Sequence, residues 1–481
     1  RSGVERLRGA SPHLTVEWDD PRPGPEPKPV SPPVAPANLP PADPGALVRK
    51  YAGQMKTDDE SPGKPIVSIS LMGSGVTDVE LGHLRELKNL QALDLSRCKN
   101  VTDAGLPYLA GLAELQDLRL GATGVHGDGL NHLAGVTKLV TLELPAVDFT
   151  MKQLAPLGRL KSLQILRLKP PAEPDAYLRF VSGFPSLKVL DLRGVPMTDR
   201  RMAYVGKLTE LERLDIASDT VGDRGLGQLA GLTQLTDFRL RSDLATDEGL
   251  KNVGRLTGLK VLELSGSRFS DAGFQQLRGL TELERAKIAD TALTDSGLLH
   301  FREFTKLIEL DLSRADVSDK GLAHLSGLKD LELIDLSGTK VTDVGLQQFK
   351  GLEELRTLRI EDSRVTGKGI AAIRRLPRLA RLQLARSPVN DEGLAAIAQL
   401  DALEQLELED APITDTGLAN LKALPALRSL SLHRVNRLTD KAVEVLKALP
   451  ALTEVSLRGT RLSARAIQEL KAKEGLTVHV E

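Results

Sequence analysis

Aromatic residues make up only 3% of the 481-residue chain, which has one tryptophan and one cysteine. The lone thiol, Cys98, forms no intramolecular disulfide, so the chain is no disulfide scaffold. Without aromatic bulk, aliphatic side chains, leucine above all, must fill the interior. No stretch approaches the roughly 18 consecutive apolar residues that a membrane span requires, so no integral membrane segment is expected. A surplus of charge is also missing: 64 Lys and Arg stand against 65 Asp and Glu, a net charge of -1. Such a balance gives no bulk attraction to nucleic acid or anionic lipid, and no nucleic-acid partner is expected. The chain contains no GxSxG elbow, HExxH, Walker GxxxxGK(S/T), GxGxxG or CxxC. SPGKP, Ser61 to Pro65, reads as a turn, because its lysine is followed by proline. No cofactor and no catalytic or metal site is predicted.

What the chain has in abundance is repetition. Leu90, Leu93 and Leu95 align with Leu115, Leu118 and Leu120, then with Leu139, Leu142 and Leu144. The frame recurs about every 24 residues, without drift, from Ile66 to Leu476. Within each unit, LxxLxL spaces apolar residues two apart, one face of a strand, whereas the following GLxxLxxL spaces them three to four apart, one stripe of a helix. Neither half buries its apolar face alone; stacked copies do, with the LxL segments as a parallel sheet and the helices outside it. Helices need about 10 Å of width and strands about 4.8 Å, so the stack must curve. The predicted fold is an α/β right-handed solenoid, a horseshoe with the parallel sheet on its concave face, helices on its convex face and about 17 repeats of about 24–25 residues.

A recurring (T/S)-D-x-G-L opens the helix, as in Thr102-Asp103, Thr246-Asp247 and Thr294-Asp295. Hydroxyl and carboxylate both accept from the free N–H groups of a helix start, so the motif reads as a capping device. One carboxylate per rung lacks the oxygen crowding of a calcium loop. The glycine after it implies tight stacking between helices. At these residues the chain resembles the leucine-rich repeat family, in particular its ITDxGL-type repeats, found in the cysteine-containing, F-box-associated subfamily and in many bacterial repeat proteins. The resemblance covers about residues 66 to 480. LDLSRCKNVTDAGL, Leu93 to Leu106, is most similar, with Cys98 at the turn cysteine. The resemblance implies a concave face that binds a ligand, usually a protein.

Counting the first leucine as position one, positions three, five and seven project from the sheet face opposite the core. Position five is dominated by charge, and none of these positions carries Trp, Tyr or Phe. The candidate partner-binding residues are Arg119, Arg167, Lys169, Arg193, Arg239 and Arg241, a mainly basic stretch diluted by Asp191, Asp215 and Asp237, together with the acidic Asp311, Asp335, Glu407 and Glu409. Neighbouring charges of opposite sign on parallel strands can simply pair, each exposed pair being worth about 0–1 kcal/mol. The other reading is a banded surface that selects a complementary protein or peptide.

Three segments are expected: residues 1–45 as a disordered Pro-rich tether, with eleven prolines between Pro21 and Pro44; residues 46–65 as an N-terminal cap in which Leu47, Val48, Tyr51 and Met55 lie at helical spacing; and residues 66–481 as the solenoid. The chain starts at Arg1, as a processed or excised piece would, so a leader, anchor or further domain before it stays open, and with it the compartment. The function expected is a non-enzymatic protein-interaction scaffold. The alternative is the recognition part of a larger enzyme, such as a ubiquitin-ligase receptor or kinase, whose catalytic domain lies upstream.

Overall fold

The computed structural model describes residues 44–266 and 268–480. The expected tether therefore lies outside the described residues except for Pro44 and Gly45, which open the first helix, Pro44–Lys50. Nineteen strands form a single sheet. From Ile66–Ser70 onward each strand pairs in parallel with the strand of the next unit, in register: Leu310 lies beside Ile334, and Leu358 beside Leu382. The chain returns from strand to strand through a short helix, α in Asp247–Val253 and 3₁₀ in Asp103–Leu109. Each unit of the solenoid is thus one winding of strand, turn and helix. Among the described residues no helix is long and apolar enough to cross a membrane.

The LxxLxL leucines form the core. Leu115, Leu118 and Leu120 are wholly buried, as are their counterparts Leu355, Leu358 and Ile360. Each such side chain contributes about 1.5–3 kcal/mol of burial, and the contribution is repeated at every rung. The scarce aromatics are spent inside: Phe274, Phe301 and Phe304 form a chain of ring contacts at 5.9 and 5.2 Å.

Two details, one at each end of the sheet, depart from the sequence reading. The first strand, Gln54–Thr57, runs antiparallel to Ile66–Ser70, so the sheet is parallel in all but its first pair. Its residue Met55 was expected in the capping helix, but that helix stops at Lys50, after which Ala52 takes a left-handed φ of 49°. Gly53 then lets the backbones close up, since a Cβ there would lie 2.6 Å from the Ser70 carbonyl oxygen. At the other end, Ser429 pairs with Glu454 and Glu454 with Thr477, so the last winding is shorter than the one before it. Leu476 is therefore one place out of the frame assigned to it.

The unit with three prolines is irregular as well. Residues 169–184 carry Pro170, Pro171 and Pro174, yet Pro174–Val181 is a regular helix with Pro174 in its first turn, where no N–H is needed. The irregularity sits in the sheet instead, where Ile165–Arg167 and Val189–Asp191 share only the pair Ile165 and Val189.

The repeated aspartate does something other than cap its own helix. Asp223 accepts from the Thr246 N–H and hydroxyl of the next unit, both at 2.8 Å, and from the Gly249 N–H at 3.0 Å. The Thr246 hydroxyl in turn accepts from Glu248 N–H of its own helix at 3.3 Å. The hydroxyl is the cap, as predicted, and the carboxylate is a clasp between neighbouring units. Among the described residues twelve aspartates accept a backbone N–H of the next unit in this way: Asp78, Asp103, Asp199, Asp223, Asp247, Asp271, Asp295, Asp319, Asp343, Asp391, Asp415 and Asp440. Ten of the twelve clasps face the glycine of the next unit's motif, where a Cβ on Gly249 would lie 2.7 Å from the Asp223 Oδ1; opposite Asp415 and Asp440 the place is taken by Ala442 and Ala466.

Four units among the described residues lack this clasp, and three of them are consecutive. Gly127 stands in the first aspartate's place, with Asp128 beside it accepting from the Gln153 side-chain amide at 3.0 Å, Met151 stands where the next aspartate belongs, and Asp175 pairs with the Arg201 guanidinium at 2.9 Å. The fourth carries Gly367 in the aspartate's place. There the backbones touch instead, a Cβ on Gly367 lying 2.6 Å from the Gly393 Cα.

Candidate partner-binding face

The strand register sets the charged side chains of positions three, five and seven side by side on the sheet's free face, and most of them find partners there. Arg119 grips Asp117, two residues back on its own strand, through Nε at 3.2 Å and Nη2 at 2.9 Å. Arg167 lies 3.6 Å from Glu143, and Lys169 lies 2.7 Å from Asp148. Arg193 makes a close pair with Asp191 at 2.6 Å and approaches Asp215 at 3.9 Å. The Arg193 guanidinium holds the Asp191 carboxyl below the usual carboxylate range, against the upward push of burial. Arg239 bridges Asp237 and Glu263, both at 3.0 Å. The stretch that reads as basic in sequence is therefore largely neutralised by its own aspartates.

The acidic candidates are engaged too. Asp311 and Asp335 each accept a backbone N–H two residues on, from Ser313 and Ser337 at 2.9 Å, bracing the turn after the strand. They also meet Lys287 at 3.8 Å and Arg359 at 3.6 Å. Glu407 accepts from the Gln383 amide at 2.8 Å. Glu409 contacts Arg434 and lies 3.8 Å from Arg386. Of the ten candidates, only the Arg241 side chain has no hydrogen-bond or ion-pair partner among the described residues. It lines a saddle of about 220 Å³ whose floor includes the small side chains Ala217 and Ser265.

Further concavities on this face escaped the sequence reading, among them one at each end of the sheet. The first, about 450 Å³, lies at the start of the sheet between Tyr51, Met55, Met72, Asp94 and Arg119. Met55 and Met72 are 41% and 60% exposed, the apolar anchors that the charged column lacks. Met72 occupies position seven of the first unit, so the same counting rule identifies it once that position is read for apolar as well as charged residues. Met55 was hidden by the helical spacing of Leu47, Val48 and Tyr51. The second, about 460 Å³, lies near the end of the sheet. There His433 Nε2 hydrogen-bonds Ser456 Oγ, and His479 Nε2 lies 3.1 Å from Glu454. Among the described residues no three of His, Cys, Asp and Glu converge to hold a metal ion. Chemically, the face offers hydrogen-bonding and charged groups to a large partner, with free apolar surface at its N-terminal end and three guanidiniums, Arg241, Arg381 and Arg458, that the described residues leave unpaired.

A family model described as "Leucine Rich repeat" matches residues 86–110 and 305–326. No curated protein matches the chain at the sequence level. Among solved structures, an internalin from Listeria monocytogenes is 18% identical over 77% of this chain and 91% of its own, with a TM-score of 0.40. A leucine-rich repeat protein of Leptospira interrogans is 18% identical over 82% of this chain and 91% of its own, with a TM-score of 0.44. The functional domain of the internalin InlJ, also from Listeria monocytogenes, is 16% identical over 78% of this chain and 74% of its own, with a TM-score of 0.49. The two matched stretches are similar to leucine-rich repeats, and the units between and around them share their strand, turn and helix.

Proposed function

We propose that this chain is a non-enzymatic scaffold that binds a protein or peptide on the free face of its sheet. The observation that carries the reading is Arg241, an exposed guanidinium without a partner among the described residues, set between the small side chains Ala217 and Ser265 while Arg193 and Arg239 nearby are paired. A carboxylate of a bound segment meets Arg241 without displacing an internal partner, and bidentate pairing of this kind gives both orientation and selectivity. The paired charges around it contribute complementarity more than affinity, because each is already satisfied. Met55 and Met72 supply the apolar contact, their flexible side chains adapting to the surface they meet.

Peptide-display selection against the whole chain tests this. Selected peptides are expected to lose at least tenfold in affinity on Arg241→Glu or Met72→Asp, and to be unaffected by charge reversal of Lys422 on the helix side. Peptides that bind both face variants as tightly as the parent would refute it.

A further inference from the structure

The helix side carries a second, differently built surface. Residues 363–390 contain no acid, in a chain whose charges balance overall: Arg364, Lys368, Arg374, Arg375 and Arg378 belong to the return from strand to strand, Arg381 to the strand Arg381–Gln383 and Arg386 to the turn after it. Two of these are engaged: Arg378 with Glu354, and Arg386 with Asp362 at 2.7 Å. Arg374 and Arg375 are exposed, follow the helix Gly367–Ile373, and have no ion-pair partner among the described residues. Lys350 occupies the equivalent place one unit earlier and is exposed too. The three cations border one concavity of about 470 Å³, lined also by Ala371, Ala372 and Ile373.

Comparison with the other units shows that this is no ordinary solvated surface. The two places equivalent to Arg374 and Arg375, at or just after the helix end, hold at most one charge in most units, as in Ala110-Gly111, Ser326-Gly327 and Lys447-Ala448. Where two charges occur they are opposite and pair with each other, Arg85 with Glu86 at 3.2 Å and Arg302 with Glu303 at 3.1 Å. Only Arg374 and Arg375 set two like charges together, with Lys350 beside them. Favourable interaction with a helix C-terminus accounts for one cation there, worth about 0.3–1 kcal/mol, but not for three. The clasp aspartate that would sit at this unit's helix start is replaced by Gly367, followed by Lys368, which removes the nearest acid.

We infer that this concavity is a docking site for a short acidic peptide segment of a partner protein. Two adjacent guanidiniums and an ammonium match two or three carboxylates, and arginine meets a carboxylate through two parallel hydrogen bonds. The alanine floor lets the peptide backbone approach closely. A nucleic acid fits less well. Its phosphates would continue past the patch onto Glu353 and Glu354 on one side and Glu392 and Asp401 on the other, and no aromatic ring lines the cavity for stacking. This site is separate from the sheet face, and its test does not depend on that reading.

The probe is a fluorescein-labelled hexapeptide of alternating aspartate and glutamate, titrated against the whole chain by fluorescence anisotropy. Binding is expected at 50 mM salt and should weaken severalfold by 200 mM, as contacts between exposed charges are screened. Arg374→Glu with Arg375→Glu should lower affinity at least tenfold, and Lys350→Glu by a smaller factor. Arg374→Ala with Arg375→Ala, matched to the parent by circular dichroism, guards against a folding artefact and should also weaken binding. Lys422→Glu with Lys471→Glu, at single-cation units, should leave affinity within twofold. The inference is overturned if the peptide does not bind at 50 mM salt, or if the Arg374 and Arg375 variants bind it like the parent. It is equally overturned if a hexathymidylate binds as tightly as the peptide.

Discussion

Replacing Gly249 by alanine probes the clasp at its tightest point. A Cβ there would lie 2.7 Å from the Asp223 Oδ1 and 2.7 Å from the Leu226 Cδ1, closer than either atom settles against a side chain. The leucine methyl can rotate away, but the carboxylate cannot move without stretching its bonds to Thr246 and Gly249. Hydrogen bonds to a charged group contribute about 1.5–3 kcal/mol each, and the three share one carboxylate, so their loss is not additive. Against this, alanine in a helix gains about 0.8–1.0 kcal/mol over glycine. The net expectation is a loss of about 2 kcal/mol. Gly327→Ala is the control, since nothing lies within 4 Å of its Cβ, and should be neutral or stabilising. In an Asp223→Ala background the obstruction is gone, so Gly249→Ala should cost little or become favourable, a coupling of about 1–2 kcal/mol in a double-mutant cycle. Urea midpoints together with hydrogen exchange at the Thr246 and Gly249 amides measure this. A Gly249→Ala penalty no larger than that of Gly327→Ala, or one that survives unchanged without Asp223, would refute the clasp.

Other perturbations follow from the same geometry. Ala122 holds a left-handed φ of 56°, so Ala122→Gly should stabilise by about 1 kcal/mol, read as a higher urea midpoint. Gly367→Asp, which restores the motif of most other units, should destabilise, because the added Cβ meets the backbone of Gly393; a rise in thermal midpoint would contradict this. Burial pushes the Glu80 carboxyl up, but hydrogen bonds from Lys50, the Thr77 N–H and the Tyr51 hydroxyl outweigh it and hold it at about 2, below its ordinary 4.5. A depressed carboxyl stabilises above its unfolded value, so this contribution is full above pH 4.5 and fades as pH falls toward 2. Because the Lys50 side chain is 61% exposed, the effect amounts to about 1 kcal/mol rather than the full shift. Hydrogen exchange at Tyr51 and Gly53 should accelerate over that window in the parent and change little with pH in Glu80→Gln.

The period, the alternation of strand and helix and the buried leucines could all be read from spacing, because each repeats many times and one apolar side chain per turn of the coil has only one place to go. The antiparallel first strand could not. Leu47, Val48, Tyr51 and Met55 fit a helix by spacing, and only the approach of Gly53 to the Ser70 carbonyl shows why the chain turns back. The aspartate motif was legible as a helix start but not as a link between units, since a partner one whole unit along the chain leaves no local spacing to detect. Its trace was the recurring glycine, which has no helix propensity of its own to recommend it. On the sheet face the alternation of charge was visible, yet pairs within one strand, such as Arg193 with Asp191, depend on rotamers that spacing does not specify. Arg241 was named along with its neighbours, and only the coordinates separate it from them.

Without clasps from Gly127 to Asp175, the coil is a one-dimensional lattice with a weak link in its first half, while at Gly367 close backbone packing takes the clasp's place. Neighbour coupling sets how far an opening event spreads in such a lattice, so stretching or warming this chain should release it in blocks, roughly Asp199 to Ser463 holding longest. A partner spanning the weak link would act as a splint, and its affinity would then be felt as mechanical toughness far from where it sits.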